Sequence, residues 1–112
     1  AYTDAPDAQQ QLLSFLALCR EHQMPCSSFQ LSSGYTSIGG KRYVFHWNRD
    51  KVPDPHSLCK SFRTAGVRLA ANIKPCLLED HPRYAEAAAA GLFLGDSEYP
   101  HMPESSMFWD AR

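Results

Sequence analysis

The sequence has few of the features that mark membrane proteins or proteins that bind nucleic acids. It contains no run of about 18 apolar residues and no basic segment followed by an apolar stretch, so neither a membrane span nor a secretory signal is predicted. Its 11 lysines and arginines do not cluster and the net charge is −1. This charge distribution disfavours nucleic acid and anionic membranes as partners. The 44% apolar and 21% charged fractions are those of an ordinary globular chain.

The cysteines also lack the spacing of a metal site. No CxxC pair is present and none of the four has a histidine at metal-ligand spacing, so neither a zinc site nor any cofactor is predicted. Each lies among apolar neighbours, where a free thiol behaves as a small hydrophobic side chain. Free thiols suit a reducing compartment, and we expect a cytoplasmic protein that lacks its native N-terminus, because the chain begins with Ala1. The four are Cys19, Cys26, Cys59 and Cys76.

Helix signals occur three times along the chain. Apolar residues spaced at i, i+3, i+4 and i+7 predict a first helix, which begins at Asp4 to Asp7 and ends before Pro25. Asp54 and Pro55 predict the start of a second helix, which Gly66 ends. A third helix is predicted from Asp80 and Pro82 through Ala90, again closed by a glycine.

Strand signals alternate with these helices. Short strands are predicted from Cys26 to Leu31 and from Val67 to Ile73, and a hairpin from Tyr35–Ile38 and Arg42–Trp47 around Gly39–Gly40. Strands that alternate with helices of about ten to fifteen residues are typical of βαβ units with a parallel sheet. The sequence therefore predicts an α/β fold of parallel βαβ units with a β-hairpin excursion.

Ligands of parallel α/β folds bind beyond the carboxyl ends of the strands. That rule selects the segment from Ser32 through Ser33 to Tyr35, with the hairpin that ends in Trp47, and a second segment from Asn72 to Asp80 that includes Lys74. The polar tail from residue 96 to 110, with Trp109, could fold over the same edge.

Each candidate residue also has a simpler interpretation. The serines lack a G-x-S-x-G elbow and are more typical of turns than of nucleophiles. Glu79 and Asp80 could form an acid–base pair at a strand end, but Asp80 could equally cap the third helix. Lys74 could bind an anion or a sugar hydroxyl, or lie exposed in solvent. The two tryptophans could stack on sugar C–H faces or be half-buried strand residues, so the residues alone leave the function open.

Several motifs, in order, resemble glycoside hydrolase family 31, which contains α-glucosidases and α-xylosidases. In that family an aromatic-rich segment ends in a phenylalanine-proline-aspartate-proline-like sequence that opens a barrel helix. A glycine-led strand with an asparagine-proline-like turn follows. The resemblance extends from Tyr2 to Trp109. The matching segments are Phe29–Tyr35, Phe45–Pro55, Ala65–Leu69 and Asn72–Pro75.

The resemblance implies that residues 1–112 are the early βα units of one (β/α)8 TIM barrel, with no second domain. A complete barrel needs about 250 residues, and the family's nucleophile and general acid lie in later segments, so no catalytic residue is assigned to this chain. Trp47 matches a tryptophan that lines the sugar pocket, and Trp109 matches another. The whole enzyme would be a retaining α-glycosidase acting on α-linked oligosaccharides or glycosides.

One position departs from the family pattern. Members that act on glucosides usually carry an aspartate at the end of the second barrel strand, where this sequence has Ser32. One hydroxyl in place of a carboxylate costs roughly 1–3 kcal/mol of sugar binding if nothing compensates, so the sugar is left open. We expect the piece to be inactive alone and to pair through its exposed strand edges, with the remainder of the barrel or with copies of itself. The alternatives are a stand-alone α/β carbohydrate-binding or interaction module, and a small enzyme that uses Glu79 and Asp80.

Overall fold

The computed structural model describes residues 2–93. The chain divides into two compact units, Ala1–Ile73 and Lys74–Arg112, and each has its own elements. Within residues 2–93, none of the helices combines the length and the apolar composition that a membrane span requires.

The first unit is a βαβ unit preceded by a helix. Strands β1 (Ser28–Leu31) and β4 (Arg68–Ala71) pair in parallel, with Ser28 opposite Arg68 and Leu31 opposite Ala71. Helix α2 (Pro55–Thr64) lies in the connection between them. This confirms the predicted parallel βαβ arrangement, while two parallel strands are too few to show a closed barrel. The elements, in order, are a 3-10 turn Tyr2–Asp4, α1 Ala8–Glu21, β1 Ser28–Leu31, a 3-10 turn Ser33–Thr36, β2 Ser37–Ile38, β3 Lys41–Arg42, α2 Pro55–Thr64 and β4 Arg68–Ala71.

The boundaries of α2 follow from its local sequence, as predicted. The Asp54 carboxylate accepts a hydrogen bond of 2.9 Å from the Ser57 amide, and Pro55 occupies the first helical position, where its missing N–H costs nothing. At the other end Gly66 takes a left-handed φ of +74°, and the Val67 amide then reaches the Phe62 carbonyl at 2.9 Å. Local residues therefore set where the helix begins and where it ends.

The hairpin is shorter than predicted. β2 and β3 pair over two residues each, and Gly39 and Gly40 both have positive φ, as a two-residue hairpin turn of this kind requires. The prediction that the second strand continues to Trp47 is wrong. Beyond Arg42 the chain forms a turn, closed by a hydrogen bond of 3.1 Å from the His46 amide to the Tyr43 carbonyl. The prediction that the first hairpin strand begins at Tyr35 is also wrong, because Tyr35 lies in the 3-10 turn Ser33–Thr36 before β2.

The core of this unit fills the space between the two helices and one face of the sheet. Its largest fully buried side chains are Phe62, Leu12, Leu31, Leu58 and Val52. The alternate residues of the two strands, Ser28 and Gln30 on β1 and Arg68 and Ala70 on β4, are exposed. Parallel sheets normally have both faces covered. Here the face that carries these four residues is open among the described residues.

The second unit contains α3, which spans Tyr84–Ala89. The prediction that this helix begins at Asp80 and Pro82 is wrong, because the residues before Arg83 form turns and Arg83 takes the N-cap position. An ion pair at 2.8 Å joins Arg83 to Glu86, but both side chains are exposed and such pairs contribute little. Gly91 has a φ of +66° just after the helix, as predicted.

Candidate functional site

The carboxyl ends of β1 and β4 lie side by side, as the parallel pairing requires. The Asn72 amide donates a hydrogen bond of 3.0 Å to the Leu31 carbonyl, which extends the ladder one residue beyond β4. The Tyr35 hydroxyl donates to the Asn72 carbonyl at 3.1 Å. Tyr35 therefore joins the loop after β1 to the end of β4, and the two strand ends form one edge.

The two candidate serines are held at this edge by other side chains. The Ser32 hydroxyl is hydrogen-bonded to the hydroxyl of Thr3, which belongs to the 3-10 turn before α1. The Ser33 hydroxyl accepts a hydrogen bond of 2.7 Å from the guanidinium Nε of Arg42. A guanidinium donates and stays protonated, so it cannot act as a base toward Ser33. The geometry of Ser32 and Ser33 therefore fits fixed polar groups better than nucleophiles.

Trp47 packs beside Tyr35 at the same edge. The two ring centroids are 4.8 Å apart with planes tilted by 51°, and Trp47 is half-buried. The Asn48 amide nitrogen donates to the Tyr35 carbonyl at 2.8 Å, and the Asn48 side chain donates to the Ser37 carbonyl at 2.7 Å. These bonds fix the backbone next to Trp47 and so limit where its indole ring can lie.

Close backbone packing brings the N-terminal turn to the edge. An ideal Cβ on Gly34 would lie 2.8 Å from the Thr3 carbonyl oxygen and would also meet the Asp4 carboxylate. The Lys51 ammonium donates to the Gly34 carbonyl at 3.4 Å. Only a glycine at this position allows the segment that carries Ser32 and Ser33 to approach the N-terminal turn.

The structure thus brings together four of the six predicted site residues, Ser32, Ser33, Tyr35 and Trp47. Lys74 lies in the second unit, where its carbonyl accepts a hydrogen bond of 2.8 Å from the Cys76 amide, and its place in the site stays a prediction. Trp109 lies outside the described residues. Glu79 and Asp80 are exposed in the turns before α3.

Three supporting residues were not predicted from the sequence. Thr3 and Arg42 reach the serines from distant positions, and no local pattern announces such contacts. Asn48 could have been found, because its side chain accepts from the Asp50 amide at 2.9 Å in a typical asparagine turn. Among the described residues no group of histidines, cysteines or acids could hold a metal ion.

Comparison with known proteins decides the family. The family model for the TIM-barrel domain of glycosyl hydrolases family 31 matches residues 2–111. The chain belongs to this family. A similar curated protein is the alpha-xylosidase XylQ of Lactiplantibacillus pentosus, which is 23% identical over 87 residues. That match covers 78% of this chain and 11% of XylQ, so the chain spans about a ninth of the relative's length. No solved structure gives a significant match.

Family membership relates this edge to the location of active sites in TIM-barrel enzymes. Active sites of TIM-barrel enzymes lie at the carboxyl ends of the strands, where β1 and β4 place Ser32, Ser33, Tyr35 and Trp47. Helices α1 and α2 begin near one another, since the Gln9 side chain of α1 accepts a hydrogen bond of 2.8 Å from the Asp54 amide that precedes α2. At this edge the chain places one aromatic pair, Tyr35 and Trp47, and the hydrogen-bonded hydroxyls of Ser32 and Ser33.

Burial raises the pKa of Tyr35 above its ordinary value of 10.0. The neutral phenol is favoured in the folded state, so its stabilising effect is complete below the unfolded pKa and is lost as the pH rises through the folded pKa. Replacing Tyr35 with phenylalanine also removes the hydrogen bond to Asn72. We expect Tyr35→Phe to cost about 0.5–1.5 kcal/mol of unfolding free energy at neutral pH, and this cost should shrink above pH 10.

Urea unfolding of the wild-type chain and Tyr35→Phe, at pH 7 and in the alkaline range above the ordinary tyrosine pKa, measures this effect. The difference between the two proteins isolates the contribution of Tyr35. A cost that stays constant into the alkaline range would contradict the assignment of Tyr35 as the buried phenol.

Proposed function

We propose that this chain supplies the early βα units of the catalytic barrel of a retaining α-glycosidase, and that its carboxyl edge contacts the sugar. The observation that carries the proposal is the Tyr35–Trp47 pair at the carboxyl ends of two parallel strands. Its family supports a glycoside as the substrate.

The edge is suited to binding and orienting rather than to the chemical step. The partly exposed indole of Trp47 offers an apolar face for sugar C–H groups. The Tyr35 ring packs against this indole. The Ser32 and Ser33 hydroxyls can exchange hydrogen bonds with sugar hydroxyls. In this proposal the nucleophile and the general acid of the retaining mechanism come from other parts of the protein, and residues 1–112 serve as one partial barrel domain.

The proposed substrate is an α-linked xyloside or glucoside. The relative with 23% identity is named an alpha-xylosidase, which makes α-xylosides the first class to examine. Ser32, where glucoside-specific members usually carry an aspartate, gives the edge one neutral hydroxyl in place of a carboxylate at this position. A neutral hydroxyl provides weaker hydrogen bonds to sugar hydroxyls, so discrimination at this position rests on the aromatic pair more than on charge.

The test is hydrolysis of a panel of 4-nitrophenyl α-glycosides by the polypeptide encoded by the whole reading frame that contains this chain. The 112-residue chain alone is assayed beside it. We expect hydrolysis of an α-xyloside or α-glucoside by the former, release of the α-anomer in NMR, and no hydrolysis by the latter. Sugar binding by the isolated chain, with no hydrolysis by either protein, would instead favour a carbohydrate-binding module. Hydrolysis by the isolated chain, abolished by Asp80→Asn, would favour the Glu79–Asp80 enzyme.

The open sheet face is the surface on which we expect the remainder of the barrel to pack. Ser28, Gln30 and Ala70 are exposed on a two-stranded parallel sheet, and each strand pairs only with the other among the described residues. We propose that the remaining barrel strands cover this face and pair with the free sides of β1 and β4. The isolated chain should therefore associate with itself through the same strands, which light scattering at increasing concentration would detect. A monodisperse monomer at high concentration would contradict this expectation.

A further inference from the structure

The connection between α1 and β1 brings two cysteines together at the amino end of the strand, opposite the proposed sugar edge. Cys19 lies in the last turns of α1, and Cys26 lies two residues before β1. The reversal between them is fixed by a hydrogen bond of 2.8 Å from the Met24 amide to the Cys19 carbonyl. Gln23 supports this reversal with a left-handed φ of 53°. Cys26 is thus only two residues beyond a residue bonded to Cys19.

Both cysteines line one groove. The groove has a volume of about 320 Å³, and Arg20, Met24 and Val67 also line it. Both are free and partly exposed, so a small oxidant in solvent can reach the groove. The Cys26 thiol donates a hydrogen bond of 3.4 Å to the Ser28 carbonyl, which anchors it at the entrance to β1.

The two thiols also interact electrostatically. The pKa of Cys19 is raised, first by desolvation and then by the neighbouring Cys26 thiol through charge and a hydrogen bond. The sulfur atoms are therefore near enough to influence each other. A raised pKa lowers the thiolate fraction of Cys19 at neutral pH, which makes it the poorer initial nucleophile.

We propose that Cys19 and Cys26 form a dithiol modification site that reacts with peroxides and closes to a disulfide. The Cys26 thiolate attacks one peroxide oxygen, the O–O bond breaks, and the departing oxygen leaves as water after taking a proton, which yields a sulfenic acid on Cys26. The Cys19 sulfur then attacks the Cys26 sulfur, the S–O bond breaks, and hydroxide leaves as water with the Cys19 proton. Two thiols lose two electrons, and one hydrogen peroxide becomes two waters.

The disulfide would tie the end of α1 to the start of β1. It would restrict the chain of the unfolded state without touching the sugar edge, so the oxidised chain should melt at a higher temperature than the reduced chain. The site is independent of the proposed glycosidase function, because it needs no sugar and no other part of the barrel.

The 112-residue chain allows a direct test. The reduced chain is treated with one equivalent of hydrogen peroxide, alkylated, and digested with trypsin, which cuts after Arg20 and separates the two cysteines. We expect a disulfide between peptides 1–20 and 21–41, with Cys59 and Cys76 alkylated. Cys19→Ser should instead leave a sulfenic acid on Cys26 that dimedone traps, and Cys59→Ser should behave as the wild-type chain.

Three outcomes would overturn the proposal. They are full alkylation of Cys19 and Cys26 after peroxide treatment, oxidation of Cys59 at the same rate as the pair, and a cross-link between two copies of the chain on a non-reducing gel. A melting temperature that rises equally in Cys19→Ser would also count against the disulfide as the stabilising link.

Discussion

Replacing Phe62 with alanine should lower the free energy of unfolding by about 3–5 kcal/mol, the usual cost of removing a buried aromatic ring. Phe62 is fully buried on α2, and its ring lies 5.8 Å from that of Phe29 on β1 in an edge-on arrangement. Leu58 and Leu31 belong to the same core cluster, so neighbouring groups cannot readily fill the cavity. Urea unfolding followed by circular dichroism measures the change, and for a chain of marginal stability this loss would prevent folding at about 37 °C.

The matched control is the same substitution at Phe45. Its side chain is 66% exposed, and its backbone has a left-handed φ of 63°, which is unfavourable for a bulky side chain. Phe45→Ala removes little buried surface, and we expect a change within about 1 kcal/mol. Equal losses at Phe62 and Phe45 would contradict the assignment of the core to the space between the helices and the sheet.

A methyl group on Gly34 should cost nearly as much as many core deletions. The Cβ of Gly34→Ala would lie 2.8 Å from the Thr3 carbonyl oxygen and 2.9 Å from its carbonyl carbon, and backbone atoms cannot move aside cheaply. We expect a loss of about 3 kcal/mol, at the upper end of overpacking effects. The hydrogen bond between Ser32 and Thr3 should weaken at the same time, since both flank the displaced segment.

Gly39→Ala separates this close approach from backbone strain. Gly39 has a φ of +56°, but no atom lies within 4 Å of the position that an alanine methyl group would occupy. Its substitution should therefore cost only about 1–2 kcal/mol, from the left-handed conformation alone. If thermal unfolding shows Gly39→Ala to be as damaging as Gly34→Ala, the packing of the N-terminal turn against the edge is wrong.

Local chemistry made a large part of the fold predictable. Asp54, Pro55 and Gly66 set both ends of α2 through contacts within a few residues, and Gly39–Gly40 set the hairpin turn in the same way. Parallel pairing follows from the alternation of helices and strands, and it places the ends of β1 and β4 at one edge. The position of the candidate site follows from that rule without knowledge of any side-chain contact.

The parts that could not be predicted depend on distant partners. The alternation from Arg42 to Trp47 resembles a strand, but after the hydrogen bond from the Tyr43 amide to the Thr36 carbonyl the chain turns between Tyr43 and His46 and does not continue the ladder. The predicted start of α3 is wrong because Asp80 and Pro82 carry the same signal as Asp54 and Pro55, while the structure forms turns there instead. The long-range contacts that hold the two serines are likewise invisible to a local pattern.

The proposed sugar-binding role of the edge is tested most directly by kcat/KM for the preferred nitrophenyl α-glycoside. It is measured on the polypeptide of the whole reading frame with Trp47 and with Trp47→Phe. Phe15→Leu serves as the control, since Phe15 packs 4.8 Å from Phe29 on the helical side of the sheet. We expect Trp47→Phe to lower kcat/KM at least about tenfold, or about 1.4 kcal/mol of transition-state stabilisation, with Phe15→Leu close to wild type. Equal kcat/KM values for Trp47→Phe and wild type, in equally folded proteins, would contradict a sugar site at this edge.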